Sequence, residues 1–230
     1  MKIEVLADAN AAAQRAAEFI HAAALEAVAA RGVFAFAVSG GRTPWRMLAA
    51  LGPLAMPWDR THIFQVDERV APQGDPERNM THIAESLLSR VTLAPDHVHA
   101  MPVNAPDLAS GAAQYARDLE TVAGAPPVLD LVHLGLGPDG HTASLVPNDP
   151  VLQVAGANVA LTAPYQGHPR MTLTYPVLDR ARCVLWLVTG AEKVPMLTRL
   201  MAGDRGIPAG RVNSERAVVL ADAAAAARAR

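Results

Sequence analysis

One cysteine, Cys183, stands in the 230 residues, so neither an internal disulfide nor a cysteine cluster for zinc can form within the chain. It sits in the apolar run Arg182-Cys183-Val184-Leu185-Trp186-Leu187-Val188, where a small buried core residue is the simplest expectation. Charge of one sign is equally scarce. Twenty Lys and Arg against 22 Asp and Glu leave a net charge of −2 with no basic block or stripe, which argues against nucleic acid or an anionic membrane surface as a partner. No stretch approaches the ~18 apolar residues of a membrane span. The opening segment MKIEVLADAN turns polar too early for the apolar region of a signal peptide. A cytoplasmic protein is the expectation. No Gly/Ser-rich linker and no internal repeat divides the chain, so residues 1–230 read as one domain. With 51% apolar and 18% charged residues, the composition suits a folded chain, and one of this length buries most of its unfolded surface.

Short apolar runs alternate with longer helical patterns, the signature of βαβ units around a mostly parallel sheet in an α/β fold. Strands are expected at Ile3–Leu6, Val33–Val38, His62–Val66, Leu129–Leu134, Val184–Val188 and Val218–Leu220. Between them, helices are expected over 8–31 (stopped by Gly32), from Thr43-Pro44 onward, and over 81–89, 106–122 and 191–201. Pro44 fits a first turn, where its missing N–H costs nothing. The Ala-rich tail reads as a terminal helix with a frayed end. In open parallel sheets, ligands bind beyond the carboxyl ends of the strands. Four segments in such places carry unusual chemistry: Ser39–Pro44, Asp67–Val70, Gly135–Asn148 and Gly190–Lys193.

Ser39-Gly40-Gly41-Arg42-Thr43 lies between a strand and a helix start. Its glycines let consecutive N–H groups turn outward, Ser39 and Thr43 add hydroxyl donors, and the helix start adds positive partial charge. Phosphate is the natural ligand, although a Gly-Gly pair by itself is equally a tight βα turn. The Gly-Lys-Ser/Thr ending of a Walker loop is absent. Asp67-Glu68-Arg69 taken alone is a solvated turn. Beside a phosphate cradle, Arg69 becomes an anion binder, with Asp67 and Glu68 orienting it or the sugar hydroxyls. Three glycines and Pro138 stiffen Gly135-Leu136-Gly137-Pro138-Asp139-Gly140-His141, and His141 stands at the exit of that loop. An imidazole there can act as general base for water, with Asp139 two residues away to fix its tautomer. A capping Asp beside a surface His is the plainer alternative; the rigid loop at a strand end outweighs it. Arg170 and Lys193 are either surface charge or the second and third cations of a phosphate site. His97-Val98-His99 alternates as a strand does, but has no third ligand near it in sequence for zinc.

These blocks, Ser39–Pro44, Asp67–Arg69, Gly135–Leu145 and Arg170–Thr174, together with the late Pro208-Ala209-Gly210-Arg211-Val212, resemble in order those of the 6-phosphogluconolactonases. The Pro-Asp-Gly-His-Thr-Ala-Ser block is the specific one. The resemblance implies a single Rossmann-like domain of the kind shared with glucosamine-6-phosphate deaminases and ribose-5-phosphate isomerases. It also implies hydrolysis of 6-phospho-D-glucono-1,5-lactone, the second step of the oxidative pentose phosphate pathway, by a monomer or weak homo-oligomer. His141 would be the base and Asp139 its neighbour. Ser39, Gly40, Gly41, Thr43, Asp67, Arg69, Arg170 and Lys193 would surround the phosphorylated sugar, with neither metal nor organic cofactor. Two positions depart from the pattern: Arg78 stands before Asn79 where a small polar residue is usual, and Val219-Leu220-Ala221-Asp222 lacks an aromatic.

The deaminases share the Asp-Gly-His block and carry a Glu five residues after the His. Here that position is Val146, and the next acid is Asp149. A valine transfers no proton, so lactone hydrolysis fits the residues better than proton transfer between two sugar carbons. A non-catalytic sugar-phosphate sensor would need the phosphate cradle but not the Asp139–His141 pair.

Overall fold

The computed structural model describes residues 1–227. Seven parallel strands form the central sheet. In chain order they are β1 (Lys2–Leu6), β2 (Phe34–Val38), β3 (Thr61–Gln65), β5 (Val98–His99), β6 (Leu131–Leu134), β9 (Val184–Val188) and β10 (Ala217–Asp222). Their spatial order is β1-β10-β9-β6-β2-β3-β5. From β2 the chain moves outward on one side to β3 and β5, then returns to the other side of β2 with β6, β9 and β10. The reversal falls between β2 and β6. That is the topological switch point, and the crevice beyond the carboxyl ends of those two strands is where an open sheet binds its ligand.

Helices cover both faces, which explains why β2, Phe-Ala-Phe-Ala-Val, is buried throughout. Its alternate side chains part between two cores. Phe34, Phe36 and Val38 join α1 (Ala9–Arg31), α2 (Arg42–Leu51) and α3 (Asn79–Ser86) on one face. Ala35 and Ala37 join α4 (Leu108–Ala123), α5 (Tyr175–Arg180) and α6 (Val194–Met201) on the other. The helix α1 begins where expected, with the Asp8 carboxylate accepting from the Asn10 and Ala11 N–H groups, and stops at Gly32 in the left-handed region (φ 76°).

Three short strands were not anticipated. β4 (Asp67–Arg69), β7 (Val159–Leu161) and β8 (Arg170–Leu173) form an antiparallel sheet in the order β4-β8-β7. Asp67-Glu68-Arg69 is therefore a strand and not a solvated turn. Its Asp67 and Glu68 are buried, and Arg69 lies directly opposite Arg170. The Ala-rich tail also departs from expectation: residues 223–227 form turns in which Ala225 and Ala226 pack into the core, and the rest of the expected helix, 228–230, lies outside the described residues. No described helix is long and apolar enough to cross a membrane. Cys183 is half-buried, and burial pushes its thiol up to about 11.

Candidate active site

A cavity of about 210 Å³ opens at the switch point, walled by Ser39, Gly40 and Gly41 after β2 and by Gly135–Pro138 and His141 after β6, with Asp67, Arg69, Asn79, Arg170 and Lys193 completing it. Asp139 contacts this cavity only through His141. Its Oδ1 accepts from both the His141 backbone N–H (3.1 Å) and ring Nδ1 (2.6 Å). With the Nδ1 proton held on the carboxylate, the lone pair of the neutral ring lies on Nε2, which has no partner among the described residues. Burial pushes the Asp139 carboxyl up, but the backbone N–H and ring of His141 and the Tyr165 hydroxyl together hold it below its ordinary value. The loop glycine that makes this possible is Gly137. A Cβ there would lie 2.1 Å from His141 Nδ1, so the imidazole occupies the space that any side chain at 137 would need.

Across the cavity the antiparallel pairing sets Arg69 beside Arg170. Like charges directly opposed on a sheet repel. Arg170 is only 4% exposed, and its Nη2 reaches just the Tyr165 carbonyl (3.3 Å) and Gln166 Oε1 (3.4 Å). Burial lowers its pKa; the Asp67 carboxylate partly opposes this, and neighbouring Arg69 adds to it. Neither Arg69 nor Arg170 has a carboxylate in ion-pair range among the described residues, and both leave Nε without a partner. Two adjacent guanidiniums with unspent donors share this cavity with Lys193, a charge set that suits a dianion.

The phosphate cradle differs in one respect from the expectation. Both hydroxyls have partners within the protein. Ser39 Oγ donates to the His133 carbonyl (3.0 Å), and the Thr43 hydroxyl lies 2.6 Å from that of Thr189, outside the cavity wall. Both contacts tie the glycine turn to its neighbours, which leaves the backbone N–H groups as its open donors. The N–H groups of Gly40 and Gly41 have no partner among the described residues and precede the N-terminus of α2.

Asp67 and Glu68 have separate duties. Asp67 lines the cavity and accepts from Ser144 Oγ (2.5 Å) and Asn79 Nδ2 (3.2 Å). Glu68 is wholly buried behind it and touches neither Arg69's guanidinium nor the cavity. It accepts the N–H groups of Arg69, Asn79 and Met80 at 2.8 Å each and pairs with Arg78 at 3.4 Å. This carboxylate caps α3 and accounts for the unusual Arg78, whose charge it balances. Asn79, at the start of α3, bridges Asp67 to the glycine turn so closely that a Cβ on Gly40 would fall 1.9 Å from its Oδ1. Ser144 and Tyr165 are thus polar residues of the site that sequence reading did not place in it, and Asn79, beside the departure at Arg78, is one whose role it left open. Ser144 stood inside the Gly135–Leu145 block; Tyr165 carried no signal.

Lys193 ends a 3₁₀ turn, Ala191–Lys193, that follows β9 and leads into α6. His97 and His99 do not meet a metal-like set: His99 Nε2 lies 3.0 Å from His62 Nδ1, His97 stacks on His62, and no group of three His, Cys, Asp or Glu among the described residues is arranged to hold an ion.

Residues 7–220 match the family model described as glucosamine-6-phosphate isomerases/6-phosphogluconolactonase. The chain belongs to this family. A 6-phosphogluconolactonase of Synechocystis sp. is 37% identical over 205 residues, 87% of this chain and 85% of that protein. The crystal structure of 6-phosphogluconolactonase from Thermotoga maritima superposes with a TM-score of 0.86 at 30% identity, covering 96% of this chain and 98% of that one. A monomeric glucosamine-6-phosphate deaminase reaches a TM-score of 0.87 at 17% identity. It shares the fold, so within this family the backbone alone does not choose between the two chemistries and the site must.

Proposed function

We propose that the protein hydrolyses 6-phospho-D-glucono-1,5-lactone to 6-phospho-D-gluconate with His141 as general base. One observation carries this reading: an imidazole whose Nδ1 is fixed by Asp139 shares a cavity of about 210 Å³ with the paired guanidiniums of Arg69 and Arg170, neither of which has a carboxylate in ion-pair range among the described residues. The relatives named 6-phosphogluconolactonase support the substrate. The phosphate docks on Arg170, Arg69, Lys193 and the Gly40–Gly41 N–H groups, which places C1 of the lactone at His141. Nε2 takes a proton from water as its oxygen attacks C1, giving a tetrahedral oxyanion. When that intermediate collapses, the C1–ring oxygen bond breaks, and the imidazolium returns the proton to the departing ring oxygen. The acid formed then loses its proton to solvent. Asp139 stabilises the imidazolium between the two transfers.

The deaminase alternative asks for another acid near the His. Val146 is buried and apolar, and Asp149 is spent on the Val151 and Ala163 N–H groups at 2.8 and 3.0 Å. Neither lines the cavity. The test is a comparison of three substrates: the phosphorylated lactone generated in place from glucose 6-phosphate, unphosphorylated gluconolactone, and glucosamine 6-phosphate. Acceleration of the first alone, unaffected by a chelator, is expected. Turnover of the third would replace this reading with the deaminase, and binding without any turnover with a sensor.

A further inference from the structure

Tyr165 lies on the loop between β7 and β8, in a turn closed by reciprocal backbone hydrogen bonds with His168 (2.9 and 3.3 Å). Its hydroxyl donates to Asp139 Oδ2 at 3.1 Å and stands 3.4 Å from His141 Nδ1. Its ring meets that of His141 edge-on, with 5.4 Å between centroids. The Arg170 guanidinium sits 5.0 Å above the same ring, and Arg170 Nη2 donates to the Tyr165 carbonyl. One half-buried side chain therefore touches both the Asp139–His141 pair and one cation of the proposed phosphate site.

We propose that Tyr165 is a positioning residue that couples the Asp139–His141 pair to Arg170, holding the base and the phosphate anchor in fixed relation. Asp139 divides its oxygens accordingly: Oδ1 serves the His141 N–H and ring, and Oδ2 serves Tyr165. Without the phenol, Oδ2 has no partner among the described residues, and the carboxylate torsion, which is intrinsically broad, is left to the half-exposed side chain. The hydroxyl also stabilises the charged carboxylate, so its loss makes the Asp139–His141 pair take up its proton at higher pH. The other charged groups facing the pair are Asp67, Arg69, Arg170 and Lys193 around the cavity, and removing one oxygen from Tyr165 changes none of them. Burial, Asp139 and the bond to it raise the pKa of the phenol itself, so it remains a donor throughout the working range.

This inference rests on the lactonase reading for its kinetics, but not for its first test. The ring C–H resonances of His141, identified by their loss in His141→Ala, are titrated by NMR in the substrate-free protein. In Tyr165→Phe the midpoint is expected to move to higher pH, and the acidic limb of kcat/KM should move the same way with KM unchanged at neutral pH. Tyr165→Ala removes the ring beneath Arg170 as well and should weaken 6-phosphogluconate binding about two- to fivefold, a loss that Tyr165→Phe does not share. An unmoved midpoint and limb in Tyr165→Phe would overturn the coupling to Asp139. A moved midpoint in a protein that never accelerates lactone hydrolysis would uphold the coupling and reject the lactonase.

Discussion

At the scale of single residues, the account turns on how few atoms stand between a working base and an idle one. Gly137 lies against the His141 ring, and a methyl group there has nowhere to go but into Nδ1. Gly137→Ala should displace the imidazole and lower kcat by about 10²-fold, the order expected for a misplacement near 1 Å, with KM little changed; steady-state kinetics checks it. Arg170→Ala should act in the opposite sense, on binding. It removes a buried guanidinium with several unspent donors and should cut kcat/KM about 10- to 100-fold through KM. The placement of His141 was legible in the sequence, because Gly-Leu-Gly-Pro-Asp-Gly-His is a local pattern: the loop that positions the proposed base is contiguous with it. Tyr165 was not legible, because its contact with Asp139 spans 26 positions and depends on where the β7–β8 loop folds.

At the scale of elements, the parallel strands were readable from their apolar runs, and the crevice followed from them. The small antiparallel sheet was not. Asp67-Glu68-Arg69 has no apolar alternation, because its burial is paid for by hydrogen bonds: Glu68 collects three backbone N–H groups, Gln65 Nε2 and Arg78. Only once β8 pairs with it do Arg69 and Arg170 become neighbours, and this register brings together the two charges of the proposed anion site. The hydroxyls of Ser39 and Thr43 have partners that were hard to read for a related reason. Hydroxyls in a glycine turn look like ligand donors, but the adjacent strands β6 and β9 offer them partners first. The Glu68 network makes its own prediction. Glu68→Ala leaves buried Arg78 uncompensated and the start of α3 uncapped, and should destabilise the protein by about 3–5 kcal/mol, read as a lower urea midpoint with an unchanged m-value.

At the scale of the whole molecule, buried His133 and half-buried His62 both bear on the response to acid. His133, wholly buried on β6, accepts the Ser39 N–H at Nδ1 (3.3 Å), and burial holds its pKa down to about 3. His62, against His97 and His99, is lowered to about 4, first by burial and then by those rings. In each case the folded pKa lies below the unfolded value of 6.5. The unfolded chain therefore binds protons that the folded chain refuses, and stability present above pH 6.5 is lost as pH falls from there toward the folded values. His133 alone contributes a slope of about 1.4 kcal/mol per pH unit in that window. Thermal unfolding between pH 7 and pH 5 should show this decline. His62→Gln should flatten it if the protein tolerates the change as well as the half-exposed site suggests, and an equal slope in wild type and variant would remove His62 from the account.

The measurement that bears most directly on the central claim is the rate of 6-phospho-D-glucono-1,5-lactone hydrolysis, corrected for the spontaneous reaction, by the wild-type protein and by His141→Ala. The account predicts enzymatic hydrolysis that falls by about 10²–10⁴-fold in the variant, while the circular dichroism spectrum and the binding of 6-phosphogluconate are retained. A folded His141→Ala protein that turns over the lactone at the wild-type rate would contradict it.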